Sequence, residues 1–490
     1  MNFDSDEDST LHMIPRYSTC KTSPDGKNFG PYSKLYIDSI KSEARVSLSR
    51  QKFSPTCDSH GPDTIVQFSV AGVPYITLGI APALEKPRSL RPQTLSLISS
   101  TPIVARDSLL RLPITKRINT NNSTTILQHD QARAQVFRRR SAEAKSGRLN
   151  ARKNVRVMNH VVDYVVEVGI GSPPTPYQLL IDTASSNTWV GAERPYIPTF
   201  SSFETGQRVS VKYASGSFSG DEYMDAVSLG FGPPIQNQSI GVALNVEGFN
   251  GVDGVLGLGP DDLTAGTIGD GSLVPTVTDN LFTQDFIEYD RVSMSFSPPT
   301  TLSSLVTGEL TFGETDPSKY IGRIYDIPVT QTPSVAPFWG LDINYIYYGS
   351  KTRIQFRTAG IVDMSTHLVL LASDAFRVYQ QVTGAVLDST TGLLRITESQ
   401  YGALKSLVFN IHGINFELIP NAQIFPRLFN TVIGGSVDGI YLIIGDIGTN
   451  STEEFGFILG MSFLERFYSI LSNPHRVSFA YTDHTFSETN

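Results

Sequence analysis

Leu179-Leu180-Ile181-Asp182-Thr183-Ala184-Ser185-Ser186-Asn187-Thr188-Trp189-Val190-Gly191 decides the reading of this chain. An apolar strand runs into an aspartate, then a turn of small hydroxylated residues, then a second apolar run. A looser copy lies downstream, Gly360-Ile361-Val362-Asp363-Met364-Ser365-Thr366-His367-Leu368-Val369-Leu370. Each copy is followed, roughly 70 to 100 residues later, by an apolar–apolar–glycine triplet, Val255-Leu256-Gly257 and Ile458-Leu459-Gly460. Such an internal repeat implies two similar β lobes with a cleft between them. Carboxylates at the ends of two equivalent buried strands can meet across a pseudo-twofold axis. A pair of that kind can share a proton and activate water without metal or cofactor.

The rest of the chain fits around that repeat. At 490 residues it exceeds what one core usually organises. From about residue 157 to Tyr481, short apolar runs alternate with Gly, Pro, Ser and Asn, which indicates an all-β body. Four segments follow: an N-terminal extension (1–105), expected to be disordered or a displaced start; a basic arm (106–156); an N-terminal β lobe (157–325); and a C-terminal β lobe (326–490). No run of 18 apolar residues calls for a membrane span. The arm carries 13 Lys/Arg against 3 Asp/Glu, whereas residues 157–490 carry 15 against 34. A basic arm on an acidic body suggests an arm that docks on its own body. Its one aromatic residue, Phe137, argues against a base-stacking nucleic-acid tail. Both cysteines, Cys20 and Cys57, lie in the extension, so the body needs no disulfide. Met1–Thr10 is acidic and polar, with no signal-peptide pattern, while Leu95–Ala105 resembles the tail of one. Sequons at Asn121, Asn122, Asn237 and Asn450 give modest support for secretion.

At these motifs the chain resembles the pepsin-type aspartic proteases, in particular the secreted fungal enzymes of the polyporopepsin kind, over residues 105 to about 483. Lys212-Tyr213-Ala214-Ser215-Gly216-Ser217 resembles the flap hairpin, Gly251–Gly259 the signature after it, and Phe457-Ile458-Leu459-Gly460 the second lobe. The resemblance implies a bilobal fold with a central cleft and a flap, preceded by a prosegment. It implies a catalytic pair, Asp182 and Asp363, supported by Thr183, Ser185 and Thr366. It places Tyr213, Ser215 and Gly216 over the substrate, with Trp189 hydrogen-bonded to Tyr213. A basic residue of the arm is expected to meet the pair. No metal or cofactor is expected. The implied partners are extended polypeptides and the chain's own prosegment, with no nucleic acid and no membrane, on a monomer found outside the cell or in a vacuole.

Three positions depart from the family's Asp-Thr-Gly loops. Ala184 and Ser365 stand for glycines, and Met364 for a threonine that bonds between the lobes. A Cβ at either glycine position can crowd a substrate backbone, and Thr183 stands to lose a partner hydroxyl. Two readings therefore stand: an endopeptidase acting in acid and made as a zymogen, or an impaired pepsin-fold protein that binds peptides. His367 is expected to be a substituted polar strand residue, or to tune the pair if it turns inward. Neither a Gly-x-Ser-x-Gly elbow nor a His-Glu-x-x-His helix is present.

Overall fold

The computed structural model describes residues 54–58, 65–70, 73–79, 109–118, 124–146, 162–214, 216–298, 306–474 and 476–490. Contacts divide the chain into two compact units, residues 1–105 and 106–490. In the first, Ser54–Asp58, Ile65–Val70 and Val73–Gly79 form an antiparallel meander. The expected disorder or displaced start in this extension falls largely outside the described residues, as does Ser215 of the flap.

The second unit is mostly β, with a thirteen-stranded and an eight-stranded sheet. Val162–Ile170 shows why these runs are strands. Val165, Val166, Val168 and Ile170 are buried and Glu167 is exposed. β-branched side chains on both faces suit a strand covered on both sides. It pairs antiparallel with Thr175–Asp182, which delivers the first aspartate.

The repeat is visible as two equivalent crossings. Thr175–Asp182 runs parallel to Gly254–Gly257, with Asp182 opposite Gly257. Thr358–Val362 runs parallel to Phe455–Leu459, with Val362 opposite Leu459. Beyond each, the glycine lets two loops touch. A Cβ on Gly257 would lie 2.5 Å from the Ser186 carbonyl carbon, and one on Gly460 would lie 2.2 Å from the Leu368 oxygen. That close approach is why both triplets end in glycine.

The C-terminal strands Phe467–Ser472 and Arg476–Tyr481 extend the larger sheet beyond Arg291–Phe296, joining the two halves by backbone bonds. The basic arm is built into this same sheet. Its strand Leu110–Ile118 lies between Val306–Phe312 and Val162–Ile170. Leu112 and Ile114 enter the core. The arm then forms a helix, Ile126–Ser146. A capping box starts it: Gln128 N–H donates to Thr125 Oγ1 and Thr125 N–H to Gln128 Oε1. Ile126, Asp130, Arg133 and Phe137 follow at helical spacing and are all buried.

Candidate active site

Asp182 and Asp363 end equivalent strands and face one another across the lobe junction, 2% and 0% exposed. Each is held by its own turn. Ser185 Oγ donates to Asp182 Oδ2 (2.6 Å) and Ala184 N–H to Oδ1 (3.1 Å). Thr366 Oγ1 donates to Asp363 Oδ2 (2.6 Å) and Ser365 N–H to Oδ1 (3.3 Å). These are the same bonds from the same positions, so the twofold relation extends to the side chains.

Between the carboxylates lies Arg133 of the arm. Its Nη2 donates to Asp182 Oδ1 (2.7 Å) and to Asp363 Oδ1 (2.8 Å), and its Nε to Asp363 Oδ2 (2.7 Å). A planar guanidinium suits this fork. Burial alone would raise the Asp182 carboxyl. The Arg133 charge, the Ser185 hydroxyl and the Ala184 amide outweigh it and hold the group below its usual range. Burial alone would lower Arg133, but the two aspartates raise it above its ordinary value.

Other arm residues hold the helix over the cleft. Phe137 meets Phe338 and Phe455 edge-on, at 5.3 and 6.5 Å between centroids. Arg140 donates to the Ala184 and Lys212 carbonyls, and its guanidinium lies 5.9 Å from the Tyr213 ring centre. Tyr213 is buried and its hydroxyl accepts from Trp189 Nε1 (3.0 Å). Trp189 stacks on Phe218 at 4.3 Å. Gly216 O accepts from Tyr213 N–H (2.8 Å), closing the flap turn.

His367 faces the arm. Asp130 Oδ1 lies 3.0 Å from His129 Nδ1 and 3.2 Å from His367 Nδ1, while Oδ2 accepts from the His367 and Leu368 amides (3.1 and 2.8 Å). Burial alone would raise Asp130. The bonds from His129 and His367 overcome it and hold the carboxyl well below its usual range. Burial lowers His129. Ligating atoms of these three residues fall within 4.8 Å of one another, a closeness their mutual hydrogen bonds explain.

The lobes also bond directly at the site. Met364 N–H donates to Thr183 Oγ1 (3.0 Å), and Ser365 Oγ to the Ile181 carbonyl (2.9 Å). Thr183 thus keeps a partner across the junction despite the methionine.

Sequence reasoning missed Arg133, Asp130 and Arg140 individually. Helical spacing puts 130, 133, 137 and 140 on one face of the arm's helix, but does not say which of them meets the carboxylates.

Two β halves with equivalent Asp loops and a flap over the cleft define the aspartic-protease class. A family model described as eukaryotic aspartyl protease matches residues 163–482. Polyporopepsin of Irpex lacteus is 53% identical over 340 residues, 69% of this chain and 99% of that protein. Pepsin A of Bos taurus is 28% identical over 325 residues, 63% of this chain and 81% of that protein. The crystal structure of an aspartic proteinase from Irpex lacteus matches with a TM-score of 0.64 at 53% identity, covering 67% of this chain and 96% of that one. The chain belongs to the eukaryotic aspartyl proteases and is an aspartic endopeptidase.

Proposed function

We propose that Asp182 and Asp363 are the catalytic pair and that the arm, residues 106–156, is a prosegment that keeps the enzyme latent until acidification. The observation that supports this most directly is one guanidinium, Arg133, bonded to both carboxylates at once. It occupies the position a hydrolytic water needs. With Arg133 gone, two carboxylates this close do not both ionise. They share a proton and titrate as a unit. The ionised partner takes a proton from water as the water oxygen attacks the scissile carbonyl carbon. The protonated partner gives its proton to the carbonyl oxygen. As the tetrahedral intermediate collapses, the carboxyl that took the water proton gives it to the leaving nitrogen, the other carboxylate takes a proton back from a hydroxyl of the intermediate, and the C–N bond breaks. Ser185 and Thr366 orient the carboxylates. Tyr213 and Gly216 on the flap cover the substrate and exclude water. The substrate is an extended polypeptide, and the working enzyme is a monomer secreted from the cell or held in a vacuole.

Ala184, Met364 and Ser365 motivate the competing reading of an impaired, peptide-holding protein. The test acidifies the full chain to pH 3–5 and offers it denatured haemoglobin, with and without a statine-type inhibitor. Inhibitor-sensitive cleavage that disappears in Asp182→Asn and in Asp363→Asn is expected. Peptide binding without cleavage would establish the competing reading instead.

A further inference from the structure

The second aspartate loop has divided two tasks between adjacent residues. Met364 turns its side chain into the main apolar cluster, 1% exposed, and sends only its backbone N–H across the junction to Thr183. Ser365 is 7% exposed, and its hydroxyl crosses to the Ile181 carbonyl. Ile181 and Thr183 are the residues on either side of Asp182. Residues 364 and 365 are the two that follow Asp363. The two cross-lobe bonds therefore straddle the carboxylate pair and tie each aspartate's backbone to the other's. Ser365 also donates its own N–H to Asp363 Oδ1. One residue thus touches one carboxylate and grips the strand that carries the other. A glycine or alanine at 365 keeps the amide bond but cannot make the cross-lobe one, and it leaves the Ile181 carbonyl without that donor.

We propose that Ser365 is a positioning residue whose hydroxyl sets the separation of Asp182 and Asp363. The proposal rests on the dyad reading above. The serine at this place is not merely a tolerated intrusion. It supplies a bond that the Met364 side chain cannot make. The misplacement that follows its loss is small in distance and large in rate, because reacting groups displaced by about 1 Å lose on the order of a hundredfold.

The test uses the full chain, acid-activated, with kcat, KM and the pH profile measured for the parent, Ser365→Ala and Ser365→Thr. Alanine is smaller than serine and fills no new space, so the fold is expected to survive. The expected result for Ser365→Ala is a kcat lowered about tenfold to a hundredfold with KM unchanged. Its two apparent pKa values should draw together, because carboxylates that move apart couple less strongly. Ser365→Thr, which keeps the hydroxyl, should restore both. A merely structural serine would lower thermal stability without moving either limb of the profile. Parent kcat and parent pH limbs in Ser365→Ala would overturn the proposal, whatever the melting temperature does. So would loss of activity in Ser365→Thr equal to that in Ser365→Ala. Parent activity in Asp182→Asn or Asp363→Asn, measured alongside, would instead remove the dyad reading and this proposal with it.

Discussion

Arg133→Met is the sharpest test of the proposed latency. Methionine keeps the length and the apolar stem but removes the charge and all three bonds to the carboxylates. Removing one partner of a buried ion pair costs about 3–5 kcal/mol, because the remaining charge is stranded. Here the stranded groups are two carboxylates that can relieve part of that cost by taking up a shared proton, so the lower end, about 3 kcal/mol, is the appropriate figure. At 1.4 kcal/mol per tenfold, that weakens docking of the arm by roughly a hundredfold. If release takes up two protons, the onset of activation moves to higher pH by about one unit. The assay follows cleavage of a fluorogenic peptide by full-length protein from pH 3 to 7. Titration with a statine-type inhibitor at pH 6 reports how much cleft is open. An Arg133→Met chain that folds normally, yet shows the parent's onset pH and the parent's inhibitor access, would refute the reasoning.

Asp130→Asn tests the second contact. In the docked arm the Asp130 carboxyl is held below its usual range and burial holds the His129 imidazole below its own. Both groups bind protons more readily once released, so both weaken docking as pH falls, His129 from about 6.5 downward and Asp130 below about 4. Asparagine should flatten the plot of log activation rate against pH below about 4, where the released Asp130 carboxyl titrates, and leave the His129 contribution nearer about 6.5 in place. Asp290 has the opposite sign: burial and neighbouring Asp279 raise its carboxyl to about 7, so its contribution to stability is present in acid and is lost as pH rises through 7. Asp290→Asn should raise the melting temperature at pH 8 by a few degrees and leave it nearly unchanged at pH 4. Gly216→Ala would place a Cβ 1.7 Å from the Glu247 carbonyl oxygen. The flap hairpin must then shift from its neighbour at a cost of about 1–3 kcal/mol, and peptide assays should show a lower kcat/KM with the dyad's pH limbs unmoved.

How far the sequence reaches is clear from particular residues. Asp182 and Asp363 were legible because their strands carry a repeated local pattern, apolar run, aspartate, hydroxylated turn, and because the glycine triplets repeat with them. The same regularity gave Ser185 and Thr366, whose bonds span only three residues. Arg133 was not legible as an individual. Thirteen basic residues crowd the arm, and which one reaches the carboxylates depends on where the helix seats across 49 and 230 residues of intervening chain. His367 shows the same limit. Sequence offered two readings of it, a substituted polar strand residue or a group that tunes the pair if turned inward, and neither pointed to Asp130, 237 residues away, to which its ring turns. Ser365 was legible as a departure from the glycine of the resembling family. Its bond to Ile181 needs the opposite lobe in place before it can be seen.

The arm's charge also acts differently from what composition alone suggests. An excess of positive charge on an acidic body predicts diffuse attraction, which salt screens over about 8 Å. In the docked helix, Arg138 and Arg140 donate largely to neutral oxygens: Thr449 Oγ1 and the Ile447 carbonyl for one, the Ala184 and Lys212 carbonyls for the other. Bonds to carbonyls do not weaken when carboxylates protonate. Within the helix, ionisable contacts concentrate where it crosses the cleft, at Arg133 with the aspartate pair and at Asp130 with two histidines, while the arm's strand adds Arg111 with Glu309 and Asp316 and Lys116 with Glu465. On the proposed prosegment reading, the acid sensitivity of the helix therefore resides in about one of its turns, with the strand's two cations as a second acid-sensitive contact. On the same reading, this division would let one segment bind firmly at neutral pH and be released by a small number of protons taken up at Asp182, Asp363, Asp130 and His129.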